Sequence, residues 1–378
     1  MTAFTFRTTP AILSEPGASA KIGALAAEQG VTKVAFVTDK GVLGLGLADA
    51  AMAGIAAAGL GIFLIDDVVA DPPESLVLSA AARARGAGCD GVVSVGGGSS
   101  MDTAKLVALL LTSDENLADI YGVGLVKGRR APLILAPTTA GTGSEVTPIA
   151  IVTTGASEKK GVVAPQLLPD WAVLDAALTL GLPREVTAAT GVDAMVHAIE
   201  AYTSARLKNP VSDCLAREAL RLLGGNIRRV CDTPDDMEAR AAMLLGSMLA
   251  GMAFTNAPVA AVHALAYPLG GHFHVPHGLS NCLVLPEVLN FNMPAAEALY
   301  AELAPIVFPG RAGGQALVDG FRDLAPAIGL KTRLSQVGVS HNHIPMLAED
   351  AMKQQRLLVN NPREMTLADA TEIYTACL

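Results

Sequence analysis

The sequence predicts two domains of different classes, a parallel α/β domain followed by an all-helical domain. Two observations predict this division. Short apolar runs alternate with helical stretches through the first half of the chain, and almost no strand-like run follows the dipeptide Leu182-Pro183. A chain of 378 residues is also long enough to form two hydrophobic cores. We therefore place the domains at residues 1–183 and 184–378.

The strand-like runs of the first half are apolar throughout, which is typical of strands buried on both faces of a parallel sheet. They lie at residues 33–38, 61–65, 91–95 and 132–136. Helical stretches separate them at residues 48–58, 75–85 and 103–111. This alternation indicates βαβ units with right-handed connections and helices on both faces of the sheet.

The second half has helical periodicity, and its prolines punctuate it. The predicted helices lie at residues 185–204, 213–223, 237–252 and 294–306. Proline is tolerated in the first turn of a helix and in loops, so we expect helix starts or loops at prolines 183, 210, 234, 258 and 276.

Composition and charge argue against several classes of protein. With 51% hydrophobic and 17% charged residues, the chain is too apolar to be disordered. The net charge of −9 and the lack of a basic run argue against nucleic-acid binding. The sequence has neither a signal-peptide pattern at its start nor an uninterrupted apolar run that would span a membrane. Five scattered cysteines without a CxxC pair favour a reduced, cytoplasmic protein.

A glycine-rich segment, GGGSSMDTAK at residues 96–105, follows a predicted strand and begins a predicted helix. Its glycines allow the backbone to approach a ligand and to adopt positive φ. The free N–H groups of the helix start then favour an anion such as a pyrophosphate. The alternative is a tight strand–helix turn in which Ser99 or Ser100 is the N-cap.

A second loop, PTTAGTGSE at residues 137–145, also follows a predicted strand. Its hydroxyl groups could bind phosphate, ribose or the nicotinamide amide; alternatively, they bond their own backbone. Two such loops at the ends of parallel strands predict a dinucleotide-binding crevice.

Asp39 ends the first predicted strand. A carboxylate at this position could bind the ribose hydroxyls and repel a 2′-phosphate, which would favour NAD over NADP. It precedes the glycine-rich segment, however, unlike the acidic residue of the usual dinucleotide-binding pattern. The alternative is an Asp that caps the turn before Gly41.

The helical half contains a set of residues suited to a metal ion. Asp193 and His197 lie four residues apart, so both side chains face one side of a helix. His263 lies in an otherwise apolar helical stretch, and His277 follows 14 residues later. A single buried histidine usually only packs, but this combination predicts a site for Fe²⁺, Zn²⁺, Mn²⁺ or Ni²⁺.

Four segments resemble the iron-containing (group III) alcohol dehydrogenases. They are GGGSSMDTAK at 96–105, PTTAGTGSEVT at 137–147, GVDAMVHAIEAY at 191–202, and AGMAFTNA…VHALA…PLGG…HVPHG within 250–278. The similarity extends over essentially the whole chain, with the motifs in the family's order. The resemblance implies a Rossmann-like α/β dinucleotide-binding domain followed by a helical metal-binding and catalytic domain.

The resemblance also implies which residues form the sites. The implied metal ligands are Asp193, His197, His263 and His277. The implied cofactor contacts are Asp39, Gly97, Gly98, Ser99, Asp102, Thr138, Thr139 and Thr142. A family lysine near the nicotinamide ribose corresponds to Lys159, with Lys160 as the alternative.

The chain departs from the family at Tyr267, where many members have a histidine that is often assigned to proton transfer. A phenol, with an ordinary pKa of ~10, is poorly matched to proton transfer at neutral pH. We expect Tyr267 to shape the pocket, and His272, His274 or the cofactor ribose with water to carry the proton. The candidate catalytic residues are therefore Tyr267, His272, His274 and His277, and we expect Phe254 to line the substrate pocket.

These expectations define a metal-dependent oxidoreductase that transfers a hydride between a nicotinamide cofactor and a small alcohol, aldehyde or ketone. We expect a preference for NAD(H) over NADP(H), and one Fe²⁺ or, alternatively, Zn²⁺. The low charge of the pocket segments favours a weakly polar substrate. Family precedent predicts a homodimer or larger homo-oligomer.

Three alternatives stay open at this stage. A hydroxyacid–oxoacid transhydrogenase or a maleylacetate-reductase-like enzyme would belong to the same family. A dehydroquinate-synthase-type lyase also uses NAD and a metal, but it would need basic residues near the metal, and residues 193–202 and 254–278 contain no Lys or Arg. A non-catalytic binding protein would not need all four candidate metal ligands.

Overall fold

The computed structural model describes residues 3–155 and 158–378. These residues form two compact units. One unit is Arg7–Gly181, and the other is Leu182–Leu378 together with residues 3–6. The first unit is α/β and the second is helical, as the sequence predicts.

The described residues of the α/β unit form nine strands. They are β1 (Ala11–Ser14), β2 (Lys33–Val37), β3 (Gly61–Ile65), β4 (Gly91–Gly96), β5 (Gly122–Val123), β6 (Leu133–Pro137), β7 (Ile149–Thr154), β8 (Glu158–Val163) and β9 (Trp171–Leu174). Six of them form a parallel sheet in the order β1-β9-β6-β4-β2-β3. The four strands predicted from sequence are β2, β3, β4 and β6, and they are neighbours in this sheet.

Helices cover both faces of the parallel sheet. The helices of this unit are α1 (Ile22–Glu28), α2 (Lys40–Gly44), α3 (Asp49–Ala57), α4 (Glu74–Gly86), α5 (Gly98–Thr112) and α6 (Leu117–Ile120). Val34 and Phe36 of β2 share a core with α1 and α3, whereas Ala35 and Val37 share another with α4 and α5. Burial on both faces explains why the strands are apolar throughout rather than alternating.

The sequence prediction missed the helices α1, α2 and α6 and five strands of this unit. The edge strand β1 pairs with β9, and both strands have only four residues. A second sheet has the order β5-β8-β7, in which β7 and β8 form an antiparallel pair.

The helical unit contains nine α-helices in the described residues. They are α7 (Arg184–Thr203), α8 (Pro210–Asp232), α9 (Met237–Asn256), α10 (Ala261–Phe273), α11 (His277–Val307), α12 (Gly314–Ala327), α13 (Ile344–Met352), α14 (Gln355–Leu358) and α15 (Leu367–Ala376). Helix α7 packs against α8, α9 and α11 and is buried on most of its surface. Pro183, Pro210 and Pro276 each lie at a helix start, as predicted.

Helix α11 is longer than the sequence suggests. It begins at His277 rather than near residue 294 and contains Pro286, Pro294 and Pro305. Burial of its apolar residues, including Leu283, compensates for the cost of internal prolines.

Among the described residues, no single helix has both the length and the composition of a membrane span. Helices α9 and α10 meet that criterion only when taken together, and they are bent by 107° relative to each other.

Candidate metal centre and cofactor-binding loops

Three helices bring the four predicted metal ligands together. Asp193 and His197 lie one turn apart on α7, His263 lies in the first turn of α10, and His277 is the first residue of α11. Each side chain offers one ligand atom, and these four atoms lie within 4.8 Å of one another. The His277 side chain is 37% exposed, whereas that of Asp193 is 3% exposed. The cluster is therefore accessible to solvent on its His277 side.

The surroundings of Asp193 favour its ionised form. Burial raises the pKa of this carboxyl group, but the imidazoles of His197, His277 and His263 and the Asn281 amide outweigh burial and lower the pKa below its ordinary value. An ionised carboxylate with three imidazoles is a donor set suited to a first-row divalent metal.

Asn281, which the sequence analysis did not single out, lies inside the cluster. It follows His277 by one turn on α11 and is fully buried. Its Nδ2 donates to Asp193 Oδ1 at 2.6 Å and lies 3.3 Å from both His263 Nε2 and His277 Nε2. Its Oδ1 is buried and has no hydrogen-bond partner among the described residues. A buried amide that contacts three of the four ligands and keeps an unsatisfied oxygen fits a site that binds a further group.

Glu200 supports the cluster from behind His263. It lies three residues after His197 on α7 and is 4% exposed. Its carboxylate accepts hydrogen bonds from the backbone N–H groups of Ala260 (2.9 Å) and Val262 (2.7 Å). Helix α10 has no side-chain cap of its own, so Glu200 satisfies two free N–H groups at its N-terminus.

The same carboxylate orients His263. His263 Nδ1 lies 2.6 Å from Glu200 Oε2, which already accepts the Ala260 N–H. We therefore assign the ring proton to Nδ1, which leaves Nε2 free as a ligand. The signal for Glu200 was present in the segment HAIEAY, where one carboxylate follows a candidate ligand within a buried helix.

Two aromatic rings flank the cluster. Phe254 of α9 stacks on His197 with ring centroids 4.4 Å apart. Tyr267 lies one turn after His263 on α10, and its ring centroid is 5.9 Å from that of His277. Both rings lie beside the cluster, and their part in shaping a substrate pocket stays a prediction.

His272 and His274 are not among the four clustered ligands. His272 Nε2 bonds to the carboxylate of Asp350 on α13. His274 is exposed and ends α10 in a left-handed conformation with φ of 52°. Their proposed part in proton transfer stays a prediction.

In the α/β unit, the three candidate cofactor segments follow adjacent strands. Gly96 at the end of β4 pairs with Pro137 at the end of β6, and Val37 at the end of β2 pairs with Ser94. The carboxyl ends of β2, β4 and β6 therefore bring Asp39, the glycine-rich segment and the hydroxyl-rich loop to one edge of the sheet.

The glycines of residues 96–98 do not provide positive φ, which corrects one expectation from the sequence. None of the three has positive φ. A Cβ atom at Gly98 would lie 2.9 Å from Thr142 Cγ2, whereas one at Gly97 would meet nothing nearer than Thr139 at 3.8 Å. Gly98 therefore allows the two loops to approach each other, and Gly97 leaves open space beside the start of α5.

The alternative in which Ser99 or Ser100 caps α5 is wrong. The N-cap is Gly97, and no side chain caps this helix start. Ser100 Oγ instead donates to Asp39 Oδ2 at 3.3 Å. The uncapped start of α5 agrees with anion binding at its N-terminus.

Asp39 has the capping role considered from the sequence, and ribose binding by its carboxylate stays a prediction. Its Oδ1 accepts the Val42 N–H at 3.0 Å and so caps α2. Its Oδ2 points toward Ser100 in the glycine-rich segment. Capping and ribose binding are therefore not exclusive.

A buried lysine braces the hydroxyl-rich loop, and the sequence analysis gave it no role. Lys105 is fully buried, and its Nζ donates to Ser144 Oγ (2.7 Å), Thr147 Oγ1 (3.1 Å) and the Ile149 carbonyl (2.7 Å). Burial lowers the pKa of this ammonium group, an effect that the nearby carboxylates of Asp102 and Glu145 oppose.

The other implied cofactor residues are partly engaged within the protein. Asp102 accepts from Ser144 Oγ at 2.7 Å and from the Ile151 N–H at 2.9 Å. Thr142 Oγ1 accepts the Ser144 N–H at 3.2 Å, which matches the alternative of a loop that bonds its own backbone. Thr138 is buried, Thr139 and Ser99 are half-buried, and Lys159 forms an ion pair with Asp71. Contacts from these residues to a cofactor stay predictions.

Comparison with known proteins agrees with this arrangement. Residues 9–176 match the family described as iron-containing alcohol dehydrogenase, and residues 187–378 match the C-terminal part of the Fe-containing alcohol dehydrogenase family. The chain belongs to the iron-containing alcohol dehydrogenase family. The family, fold class and reaction class predicted from the motifs are therefore confirmed.

Individual members of the iron-containing alcohol dehydrogenase family resemble the chain along its whole length. The probable alcohol dehydrogenase EutG of Escherichia coli (strain K12) is 36% identical, covering 98% of this chain and 94% of its own. The crystal structure of 1,3-propanediol oxidoreductase has a TM-score of 0.96 and 32% identity, covering 100% of both chains. That of sulfoacetaldehyde reductase from Bifidobacterium kashiwanohense in complex with NAD⁺ has a TM-score of 0.91 and 29% identity, covering 100% of this chain and 99% of its own.

Proposed function

We propose that this chain interconverts small alcohols and aldehydes or ketones with NAD(H), at a divalent metal bound by Asp193, His197, His263 and His277. The four ligand atoms within 4.8 Å of one another are the observation that carries the proposal. One carboxylate and three imidazoles suit Fe²⁺, with Zn²⁺ as the alternative. When bound, the metal supplies Lewis-acid polarisation of the substrate oxygen, and the nicotinamide accepts or delivers the hydride.

The protein's own residues prepare this centre. Glu200 fixes the tautomer and orientation of His263, because it accepts the Nδ1 proton while its other bonds anchor the start of α10. Asn281 restrains the Asp193 carboxylate through a 2.6 Å hydrogen bond. Phe254 packs on His197 and forms an apolar wall. Proton transfer is assigned to His272, His274 or the cofactor ribose with water, with Tyr267 shaping the pocket.

We infer that the cofactor pyrophosphate binds at the uncapped start of α5, beside Gly97, Gly98 and Ser99. Open space beside Gly97 and the unpaired N–H groups of the first turn support this placement. The threonine hydroxyls of the second loop and Asp102 and Lys159 are the remaining proposed contacts. Asp39 at the end of β2 supports a preference for NAD, since its carboxylate would repel a 2′-phosphate.

The metal assignment is tested with His263→Ala. The variant should lose most of its bound metal and fall to near-background activity while staying folded, because one of four ligands and the bond to Glu200 are removed. The matched control is His341→Ala, since His341 is an exposed histidine away from the cluster. Elemental analysis and circular dichroism are measured on both, and a full complement of metal in His263→Ala would contradict the assignment.

The reaction is tested with a panel of alcohols and aldehydes, supplied with NAD or NADP, on protein reconstituted with Fe²⁺ or Zn²⁺. Net formation or consumption of NADH is expected. A transhydrogenase would instead exchange hydroxyacid and oxoacid with no net turnover of the cofactor.

We also propose a cytoplasmic homodimer or larger homo-oligomer that binds neither nucleic acid nor membrane. The net charge of −9 and the five free cysteines support this proposal. Light scattering after size-exclusion chromatography gives the oligomeric state directly, and a monomer at micromolar concentration would contradict it.

A further inference from the structure

Arg356 on the short helix α14 lies against Tyr267. Its Nη2 is 3.5 Å from the Tyr267 hydroxyl oxygen, and its Cζ is 6.0 Å from the centre of the Tyr267 ring. This contact joins two segments that are 89 residues apart in the chain. Residues 254–278 contain no Lys or Arg, but Arg356 brings a positive charge to Tyr267 from a distant part of the chain.

Tyr267 connects Arg356 to the metal-ligand cluster. The Tyr267 and His277 ring centroids are 5.9 Å apart, and His277 is the half-exposed ligand. The guanidinium group can be no further from the His277 ring than the sum of these two separations. These separations set an upper limit on the distance that a substrate must span from the cluster to Arg356.

The charge of Arg356 is available to a ligand. Among the described residues, no carboxylate lies within 4.0 Å of its guanidinium nitrogens. The acidic residues on the adjacent helix α13 are Glu349 and Asp350, and Asp350 is already bonded to His272 and Lys353. Arginine presents N–H donors in a planar fork that fits the oxygens of a carboxylate or sulfonate.

We propose that Arg356 binds an anionic group, a carboxylate or a sulfonate, at the end of the substrate away from the reacting carbon. The substrate class is then a short aldehyde or alcohol with a terminal acid rather than a weakly polar one. This inference rests on the proposed function, because the reacting carbon must lie at the metal cluster. Arg356 acts as a specificity residue and takes no part in hydride transfer.

The test compares two aldehydes of equal chain length, 4-oxobutanoate and butanal. The wild-type protein should have the higher kcat/KM for 4-oxobutanoate. In Arg356→Leu, the ratio of kcat/KM for 4-oxobutanoate over butanal should fall by about thirtyfold, in the range expected for one charge-assisted hydrogen-bonded pair. Arg228→Leu, which removes an exposed arginine on α8, is the matched control and should leave the ratio unchanged.

Sulfoacetaldehyde is the third substrate and distinguishes a sulfonate from a carboxylate. The acid with the higher kcat/KM in the wild-type protein is the one that fits the pocket beside Arg356. A wild-type enzyme that prefers butanal, or a ratio that changes less than about threefold in Arg356→Leu, would overturn the inference.

Failure of the proposed function gives a different result. In that case no aldehyde would oxidise NADH. The role of Arg356 would still be measurable by calorimetry, as the binding of 4-hydroxybutanoate to protein loaded with metal and NAD. Weaker binding by about thirtyfold in Arg356→Leu, with Arg228→Leu unchanged, supports the inference, and equal binding in both variants overturns it.

Discussion

The two units build their sites from different parts of the chain. In the α/β unit, the candidate cofactor edge consists mostly of backbone and small side chains, with the Asp39 carboxylate beside them, and the buried Lys105 bonds to Ser144 of the hydroxyl-rich loop. In the helical unit, the candidate metal centre consists of charged and imidazole side chains on three helices. The first site therefore depends on available space, and the second depends on the orientation of side chains. Substitutions should therefore weaken ligand binding for different reasons: by filling space in the α/β unit, and by releasing side chains from their orientation in the helical unit.

The largest expected effect is in the helical unit, where Glu200→Gln tests orientation. An amide has only one acceptor oxygen and cannot accept from all three donors, so either a bond that anchors the start of α10 or the bond that orients His263 is lost. Metal affinity should fall by roughly 10–100-fold, as is typical when a hydrogen-bond partner of a ligating histidine is lost. Chelator competition measures the dissociation constant.

The matched control for Glu200→Gln is Glu238→Gln, since the Glu238 side chain is 84% exposed. Thermal unfolding of the metal-free proteins separates positioning from general stability. If Glu200→Gln lowers the unfolding temperature but binds metal as tightly as the wild type, Glu200 only caps α10.

An intermediate effect is expected in the α/β unit, where two neighbouring glycines test the role of space. Gly97→Ala fits without a close contact, so it should fold normally but lower NAD affinity by roughly thirtyfold, about 2 kcal/mol, because its methyl group occupies the proposed pyrophosphate position. Gly98→Ala places Cβ 2.9 Å from Thr142 and should destabilise the unit by about 1–3 kcal/mol.

Fluorescence titration with NAD and denaturant unfolding separate these two outcomes. Unchanged NAD affinity in Gly97→Ala would place the pyrophosphate elsewhere. A fully stable Gly98→Ala would show that the Thr142 side chain moves aside easily.

The smallest expected effect concerns charge at the cofactor edge. Asp39→Gly removes the carboxylate that would face the ribose, and kcat/KM for NADP relative to NAD should rise by about tenfold, roughly 1.4 kcal/mol. Asp39→Asn is the companion variant, because its side-chain oxygen can still cap α2 through the Val42 N–H. An unchanged cofactor ratio in both variants would leave Asp39 with its capping role alone.

The sequence by itself determined the class of each unit and predicted the residues at the centre of each candidate site. Apolar runs identified the central strands because burial on both faces requires them, and the spacing of Asp193 and His197 placed both on one side of a helix. The four-residue strands β1 and β9 were missed because strands so short carry little periodicity. Local patterns of this kind depend only on residues close together in the chain.

Only the tertiary structure decided which distant residues support or extend these sites. Glu200 reaches His263 across 63 residues, Asn281 meets Asp193 across 88, and Arg356 meets Tyr267 across 89. The tertiary structure also brings Lys159 and Asp71 together as an ion pair. Such contacts arise from the packing of whole helices and strands, and no spacing along the chain specifies them, because the same residue types at the same intervals would fit many other arrangements of helices.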